Sequence, residues 1–375
     1  MSGTTADQPA QRSVATGLSH GDRPYPEHAE RAVRQALERA NLDRANSVLL
    51  FLTPEYAPDP DPAIRAAARA AGSMQVIGCT GAGVLTEQEW ILDSPGAAAM
   101  VFGDEVRLNK VPEHYAEEEP ALSMCTPAGM LAEWLDIPGP RMGGVSGDIF
   151  SHGPFKVWSD CRVADSGYAD ALIDGAHGVV LGSQGIHALT APIEVAEVEG
   201  RDVMRMGNYP ALNVLVQSLP EQVQQMRNLP YHLLAGGVTF GDPDTAIRDG
   251  RYKLNHIISA NLQEQSITLS DPLHPGERLF WAMRDALSAE RDMAKTIDMA
   301  RAELREDPDF AFLFPCMGRG PNFYGNRDRD LELVKSRFTD TPIIGFYGNG
   351  EIGPLDGMNH LYQYSAILGL YHLNR

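Results

Sequence analysis

Pro342-Ile343-Ile344-Gly345-Phe346-Tyr347-Gly348-Asn349-Gly350-Glu351-Ile352-Gly353 is the stretch on which the fold turns. Residues 342–346 form an apolar run with the length of a buried strand, and it passes into Gly-x-x-Gly-x-Gly over Gly345 to Gly350. Upstream, residues 329–338 have helical spacing and residues 310–314 read as another buried strand. The loop Cys316-Met317-Gly318-Arg319-Gly320 follows that strand. Residues 277–305 read as a long helix, with Leu279, Met283, Ala286, Met293, Ile297, Ala300 and Leu304 on one face. The same order occurs near the start of the chain: helix 27–41, strand 47–53, loop 54–62, helix 63–71 and strand 74–77. That series ends in Gly78-Cys79-Thr80-Gly81-Ala82-Gly83. Leu50 to Ile77 and Leu313 to Ile344 span similar lengths. The pattern predicts an α/β fold of two related mixed-sheet halves, built from a duplicated α-β-α-β unit.

Between these ends the chain is strand-rich, with short β-type runs at 178–182, 195–198 and 233–240. Tyr362, Tyr364, Ala366 and Leu368 alternate along a last strand over 362–371. Pro210, Pro220 and the polar segment 221–228 mark a boundary near residue 205. The expected division is a loose tail over 1–19, a first domain over 20–205 and a second over 206–375.

The 375 residues are enough for two or three domains at about 150 each. With 50 acidic against 31 basic residues the chain carries −19, which argues against nucleic acid and membrane surfaces as partners. Cys79, Cys125, Cys161 and Cys316 include no C-x-x-C pair, so neither a zinc ribbon nor a dithiol redox centre is expected. Residues 1–12 lack the apolar core of an export signal, and no run of 18 apolar residues occurs. A cytoplasmic location is the expectation.

Gly348-Asn349-Gly350-Glu351-Ile352-Gly353 fits G-x-G-x-x-G, the pattern of a dinucleotide site. Pro354-Leu355-Asp356-Gly357 follows it instead of a helix, and no acid occurs after Asp356 to reach a ribose. No Gly-Lys pair and no G-x-S-x-G are present. The glycines are then either tight strand-exit turns or places where a ligand comes close. Cys316, Arg319, Tyr347, Asn349 and Glu351 lie just past two adjacent strands, where α/β sheets bind ligands. Arg319 is suited to clamp a carboxylate, and Glu351 with Asn349 to receive an amine. The plainer reading pairs Arg319 with Glu351 across the turn. Cys316 has two readings: a nucleophile beside Arg319 with His360 as base, or a small buried core residue. The histidines show no zinc spacing, so no metal site is expected. A haem ligand needs no spacing, which leaves His20, His152, His232 and His360 open to that role or to ordinary surface and core ones.

At these residues the chain resembles the FIST family, named for F-box and intracellular signal transduction proteins. Phe314-Pro315-Cys316-Met317-Gly318-Arg319 resembles the family's Phe-x-Cys-x-x-Arg segment. The stretch from Pro342 to Pro354 resembles its Pro-x-x-Gly-Phe-x-x-x-Gly-Glu-Ile-Gly-Pro segment. Val76-Ile77-Gly78-Cys79-Thr80 is similar to a Gly-Cys-Ser/Thr-Thr-x-Gly-Glu turn, and Gly143-Gly144-Val145-Ser146-Gly147-Asp148 to a Gly-Gly-x-x-Gly-Asp turn. The resemblance covers nearly the whole chain from about Gly17, as an N-terminal FIST part followed by a C-terminal one. Two positions depart from it. Gly81 stands where Thr or Ala is usual, and Val84 where the first turn carries Glu, leaving Glu351 as the acid and Glu87 as a substitute at unknown distance.

The resemblance implies a sensory, non-catalytic protein that binds a small amino-acid-like ligand and signals to a partner. Its implied ligand contacts are Cys79, Thr80 and Gly81 in the first turn and Ser146 and Asp148 in the next. Cys316, Arg319, Tyr347, Asn349, Gly350 and Glu351 supply the C-terminal ones. Some similar bacterial proteins are described as haem-binding nitric-oxide sensors that act on histidine kinases. Haem b and a histidine kinase are therefore the alternative cofactor and partner, and a Cys316-dependent enzyme is the remaining alternative. The 375 residues show no kinase, cyclase, F-box or methyl-accepting segment, so output is expected in trans.

Overall fold

The computed structural model describes residues 13–112, 119–150, 152–226 and 228–374. Among these residues the chain is a mixed α/β protein with four sheets and eight helices. It divides into two compact units, Met1–Gly182 with Ala294–Arg375, and Ser183–Met293. The smaller unit straddles the boundary expected near residue 205.

In chain order the larger unit begins with β1 (Val14–His20), α1 (Pro26–Ala40), β2 (Ser47–Leu52), α2 (Asp61–Ala71) and β3 (Val76–Thr80). Next come β4 (Gly83–Thr86), β5 (Trp90–Ile91), β6 (Gly96–Phe102), β7 (Arg107–Lys110), β8 (Ala121–Cys125), α3 (Ala132–Leu135) and β9 (Arg141–Val145). Then follow β10 (Val157–Ser159), β11 (Arg162–Val163), β12 (Tyr168–Asp174) and β13 (Ala176–Ser183). The smaller unit holds β14 (Ile186–Ala188), β15 (Ile193–Glu199), β16 (Asp202–Met206), β17 (Tyr209–Pro210), α4 (Ala211–Ser218) and α5 (Glu221–Gln224). It continues with β18 (Leu234–Thr239), α6 (Pro243–Ala246), β19 (Tyr252–Asn261), β20 (Ser266–Leu269) and β21 (Arg278–Arg284). After α7 (Ala286–Leu304) come β22 (Phe310–Pro315), α8 (Arg329–Arg337), β23 (Ile343–Tyr347), β24 (Glu351–Leu355), β25 (Met358–Tyr362) and β26 (Ala366–Leu373).

The two α-β-α-β series are α1-β2-α2-β3 and α7-β22-α8-β23, and within each the two strands pair in parallel. β2 is buried on both faces because its residues alternate between two layers. Leu49 and Phe51 face an aromatic core, while Val48, Leu50 and Leu52 face the alanine-rich sides of α1 and α2. The aromatic core joins both series: the Phe51 and Phe346 rings lie 4.9 Å apart and those of Phe314 and Phe346 5.4 Å apart. In each pair a glycine lets the neighbouring strand come very close. A Cβ on Gly78 would stand 1.7 Å from the Leu50 carbonyl oxygen, and one on Gly345 1.6 Å from that of Leu313. A third parallel pair, β8 and β9, repeats the device with Gly143 against the Ser123 oxygen at 1.9 Å.

The three sheets of the larger unit run β1-β6-β2-β3-β10-β11, β25-β24-β9-β8-β12-β7 and β13-β26-β22-β23-β4-β5. Strands from the two ends of the chain thus share sheets. β4 pairs with β23, and β24 pairs with β9. The smaller unit is a single sheet, β14-β21-β15-β16-β20-β19-β18, with β17 added to β16 and β21 also pairing with β18.

Three local expectations are corrected. Residues 14–19, read as part of a loose tail, belong to β1, whose first six residues are buried; residues 1–12 of that tail lie outside the described residues. The helix expected over 277–305 begins at Ala286, because Arg278–Arg284 pairs as a strand with β18, where Phe280 and Trp281 are buried. The last strand expected over 362–371 is two strands, β25 and β26, parted by a bend at Tyr364 in the left-handed region (φ 55°).

Candidate functional site

The turns that leave β3, β9, β22 and β23 converge in the larger unit. Ala82 N donates to Tyr347 O at 2.9 Å, tying the first glycine turn to the last. Val145 N donates to Gly350 O at 2.8 Å and Asn349 N to Val145 O at 2.9 Å, which brings in the turn after β9. Gly348 N donates to Pro315 O at 3.0 Å and Met317 N to Gly348 O at 2.9 Å, which adds the turn after β22. Segments far apart in sequence therefore meet at the expected place.

Each expected site residue has a distinct position there. Cys79, Thr80, Gly81, Ser146, Cys316, Arg319, Tyr347, Gly350 and Glu351 are buried, whereas Asp148 and Asn349 are half-buried. Thr80 Oγ1 and Ser146 Oγ lie 2.9 Å apart, and Lys156 N donates to Thr80 Oγ1 at 3.2 Å. Cys79 is fully buried, and burial, with Cys125 nearby, holds its thiol well above the usual range. It is a core residue. Asp148 holds its own loop: Oδ1 accepts from the Phe150 and His152 amides and Oδ2 from that of Gly153.

Arg319 is hydrogen-bonded to Asp330, and its charge also acts on Glu351. Its Nε and Nη2 donate to Asp330 Oδ2 and Oδ1 at 2.9 and 3.1 Å, a two-pronged pair with both side chains buried. Asp330 also accepts from the Tyr324 hydroxyl. Beside it, Tyr347 donates to Asp328, which caps α8 by accepting from Leu331 N at 2.9 Å. Burial, aided by the charge of Asp330, pushes the Asp328 carboxyl up to about 6.

Glu351 is fully buried on β24, opposite Gly144 of β9 and Tyr362 of β25. Ser365 Oγ donates to its Oε2 at 2.7 Å, and the Cys316 thiol adds a hydrogen bond to the carboxyl group. Oε1 has no hydrogen-bond partner among the described residues. Burial pushes this carboxyl up to about 8 and so favours its protonated form, against the opposing pull of its hydrogen bonds and of Arg319.

The glycines of the turns are packed by opposing side chains. A Cβ on Gly81 would meet Phe346 at 2.9 Å, one on Gly83 would meet Tyr347 at 3.0 Å and one on Gly147 would meet Asn349 at 2.5 Å. The inner end of the expected glycine-lined crevice is therefore filled by Phe346 and Tyr347. Exposure begins at Met317, Gly318, Asn349 and Asp148, next to Ile149 and Phe150, which are exposed.

Sequence reading missed Ser365, Asp330 and Tyr324. Asp328 carried a legible signal, since Asp before a helical run is a capping residue. Ser365 carried none. As for haem, a cavity of about 650 Å³ is lined by Ser13, Glu105, Asp307, Asp309, Asp340, Leu373 and neighbours, with no histidine. That acidic lining does not fit a porphyrin. His20, His152 and His232 are exposed, and His152 stacks on Phe150. No group of three or more metal-binding side chains occurs among the described residues.

The sequence that forms these four turns matches known family models. The FIST N domain matches residues 46–208 and the FIST C domain residues 211–354. The chain belongs to the FIST family. FIST domains are associated with sensory signal transduction and small-ligand binding. Among similar proteins, an uncharacterized protein of Mycobacterium tuberculosis is 27% identical over 248 residues, covering 65% of each chain. An uncharacterized protein of Mycobacterium bovis is 28% identical over 248 residues, 65% of this chain and 64% of that one. The match thus spans about two thirds of the length of these relatives. F-box only protein 22 of Homo sapiens is 36% identical over 72 residues, 18% of this chain and 17% of that protein. No helix among the described residues is long and apolar enough to cross a membrane.

Proposed function

We propose that this FIST protein senses a small amino-acid-like metabolite at the convergence of the four turns and signals to a separate protein partner. The observation that carries the reading is Glu351, a fully buried carboxyl with an oxygen that no described group satisfies. Buried polar atoms in native proteins are nearly always paired, so such an oxygen marks a position for a ligand donor. Cys316 links the carboxyl to the half-exposed Met317, Gly318 and Asn349, the side from which a metabolite would enter. A ligand seated there touches turns from both ends of the chain. Arg319 and Asp330 act as the rigid floor.

Thermal unfolding with amino acids, 2-keto acids and haem tests the proposal. A ligand of the native state raises the melting temperature, by the equivalent of about 2.7 kcal/mol at a hundredfold excess over its dissociation constant. At least one amino acid is expected to do so. A response to haem alone, or none, counts against the reading.

A further inference from the structure

The surroundings of Glu351 define what it lacks. Cys316 and Arg319 face it from the turn after β22, Ser365 from the bend before β26 and Tyr362 from β25. Cys316 and Ser365 are neutral donors, and Tyr362 is a phenol that burial keeps protonated. Arg319 supplies positive charge, but Asp330 compensates it through two hydrogen bonds. A buried carboxylate with an unpartnered oxygen and no dedicated counter-charge is costly, so the group keeps its proton. The missing element is a cationic donor at Oε1.

We propose that Glu351 reads the primary amine of the ligand, releasing its proton to solvent as an ammonium group docks against Oε1. This deepens the amino-acid reading and rests on it. Before binding, the protein carries –COOH and the free ligand –NH3+. Afterwards a carboxylate accepts an N–H from the ammonium, and one proton has passed to the buffer; no bond to carbon forms or breaks. Amines are accepted. Their 2-keto and N-acetyl counterparts are refused, because neither brings the charge that makes ionisation favourable in a buried place. Affinity rises with pH until the free carboxyl is itself ionised, above about 8.

The test uses the full chain. The twenty proteinogenic amino acids are screened by thermal shift at pH 7, and the strongest stabiliser is titrated calorimetrically in phosphate and in Tris. The difference in apparent enthalpy counts protons. Wild type is expected to release about one proton per ligand. Glu351→Gln is expected to release none and to bind roughly tenfold or more weakly, as for loss of a charged hydrogen bond. Amino-acid binding without proton release, or equal binding and release by Glu351→Gln, overturns this inference and leaves the amino-acid reading standing. Silence from the whole panel overturns both. If Glu351→Gln does not fold, infrared difference spectra of wild type decide. The protonated carboxyl band must vanish on addition of the amino acid, and its persistence overturns the inference.

Discussion

Asp330 grips the Arg319 guanidinium through two hydrogen bonds of 2.9 and 3.1 Å, and both side chains are buried. Removing one partner leaves the other charge uncompensated in the interior. Arg319→Ala is expected to lower stability by about 3–5 kcal/mol. The double variant Arg319→Met/Asp330→Leu should be closer to wild type than either single change. Urea unfolding measures all of these, and a loss below about 1 kcal/mol for Arg319→Ala contradicts the structural role.

Glu351 gives a pH signature that needs no ligand. Folded, it keeps its proton up to about 8; unfolded, it loses it near about 4.3. Its favourable contribution is complete below the lower value and is lost as pH rises through the upper one. The melting temperature of wild type minus that of Glu351→Gln should therefore fall steadily between about pH 5 and pH 8 and then level. A flat difference would show that the carboxyl is ionised in the native protein.

Asp148 restrains the loop beside the half-exposed face of the site by accepting three backbone hydrogen bonds. Asp148→Ala should speed amide hydrogen exchange at Phe150, His152 and Gly153 while moving the melting temperature little, since this loop is largely exposed. Exchange confined to the wild-type rate at those amides speaks against the restraint.

Gly78 and Gly345 meet backbone oxygens at distances no side chain tolerates. The clash is with backbone, which cannot swing aside, so alanine at either position forces two parallel strands apart. The cost should reach at least about 1–3 kcal/mol per site, with equal losses expected at the two related positions. Denaturant midpoints that stay near wild type would mean that the strands separate freely.

The two α-β-α-β series were legible because β2, β3, β22 and β23 are buried on both faces and so appear as unbroken apolar runs. The third parallel pair was not: β8 and β9 are joined through a helix of only four residues, too short for a periodic signal. Arg278–Arg284 carries Leu279 and Met283 at helical spacing, and only pairing with β18, β14 and β15 makes it a strand. In the candidate site, glycine turns and the Phe-x-Cys-x-x-Arg and Gly-Glu-Ile-Gly-Pro segments pointed to turns that meet in the fold. They did not disclose that Asp330, eleven residues beyond Arg319, captures its guanidinium. Ser365 reaches Glu351 through the β25–β26 bend, a contact set by three-dimensional folding alone.

Because β4 and β5 complete the sheet of β22, β23 and β26, while β24 and β25 extend that of β8, β9 and β12, the two FIST domains are interlaced at the level of hydrogen-bonded edges. A fragment carrying one of them alone would present raw, unpaired margins ready to stick to other chains. Co-production of both pieces, with mutual rescue of solubility, is the behaviour such lacing dictates.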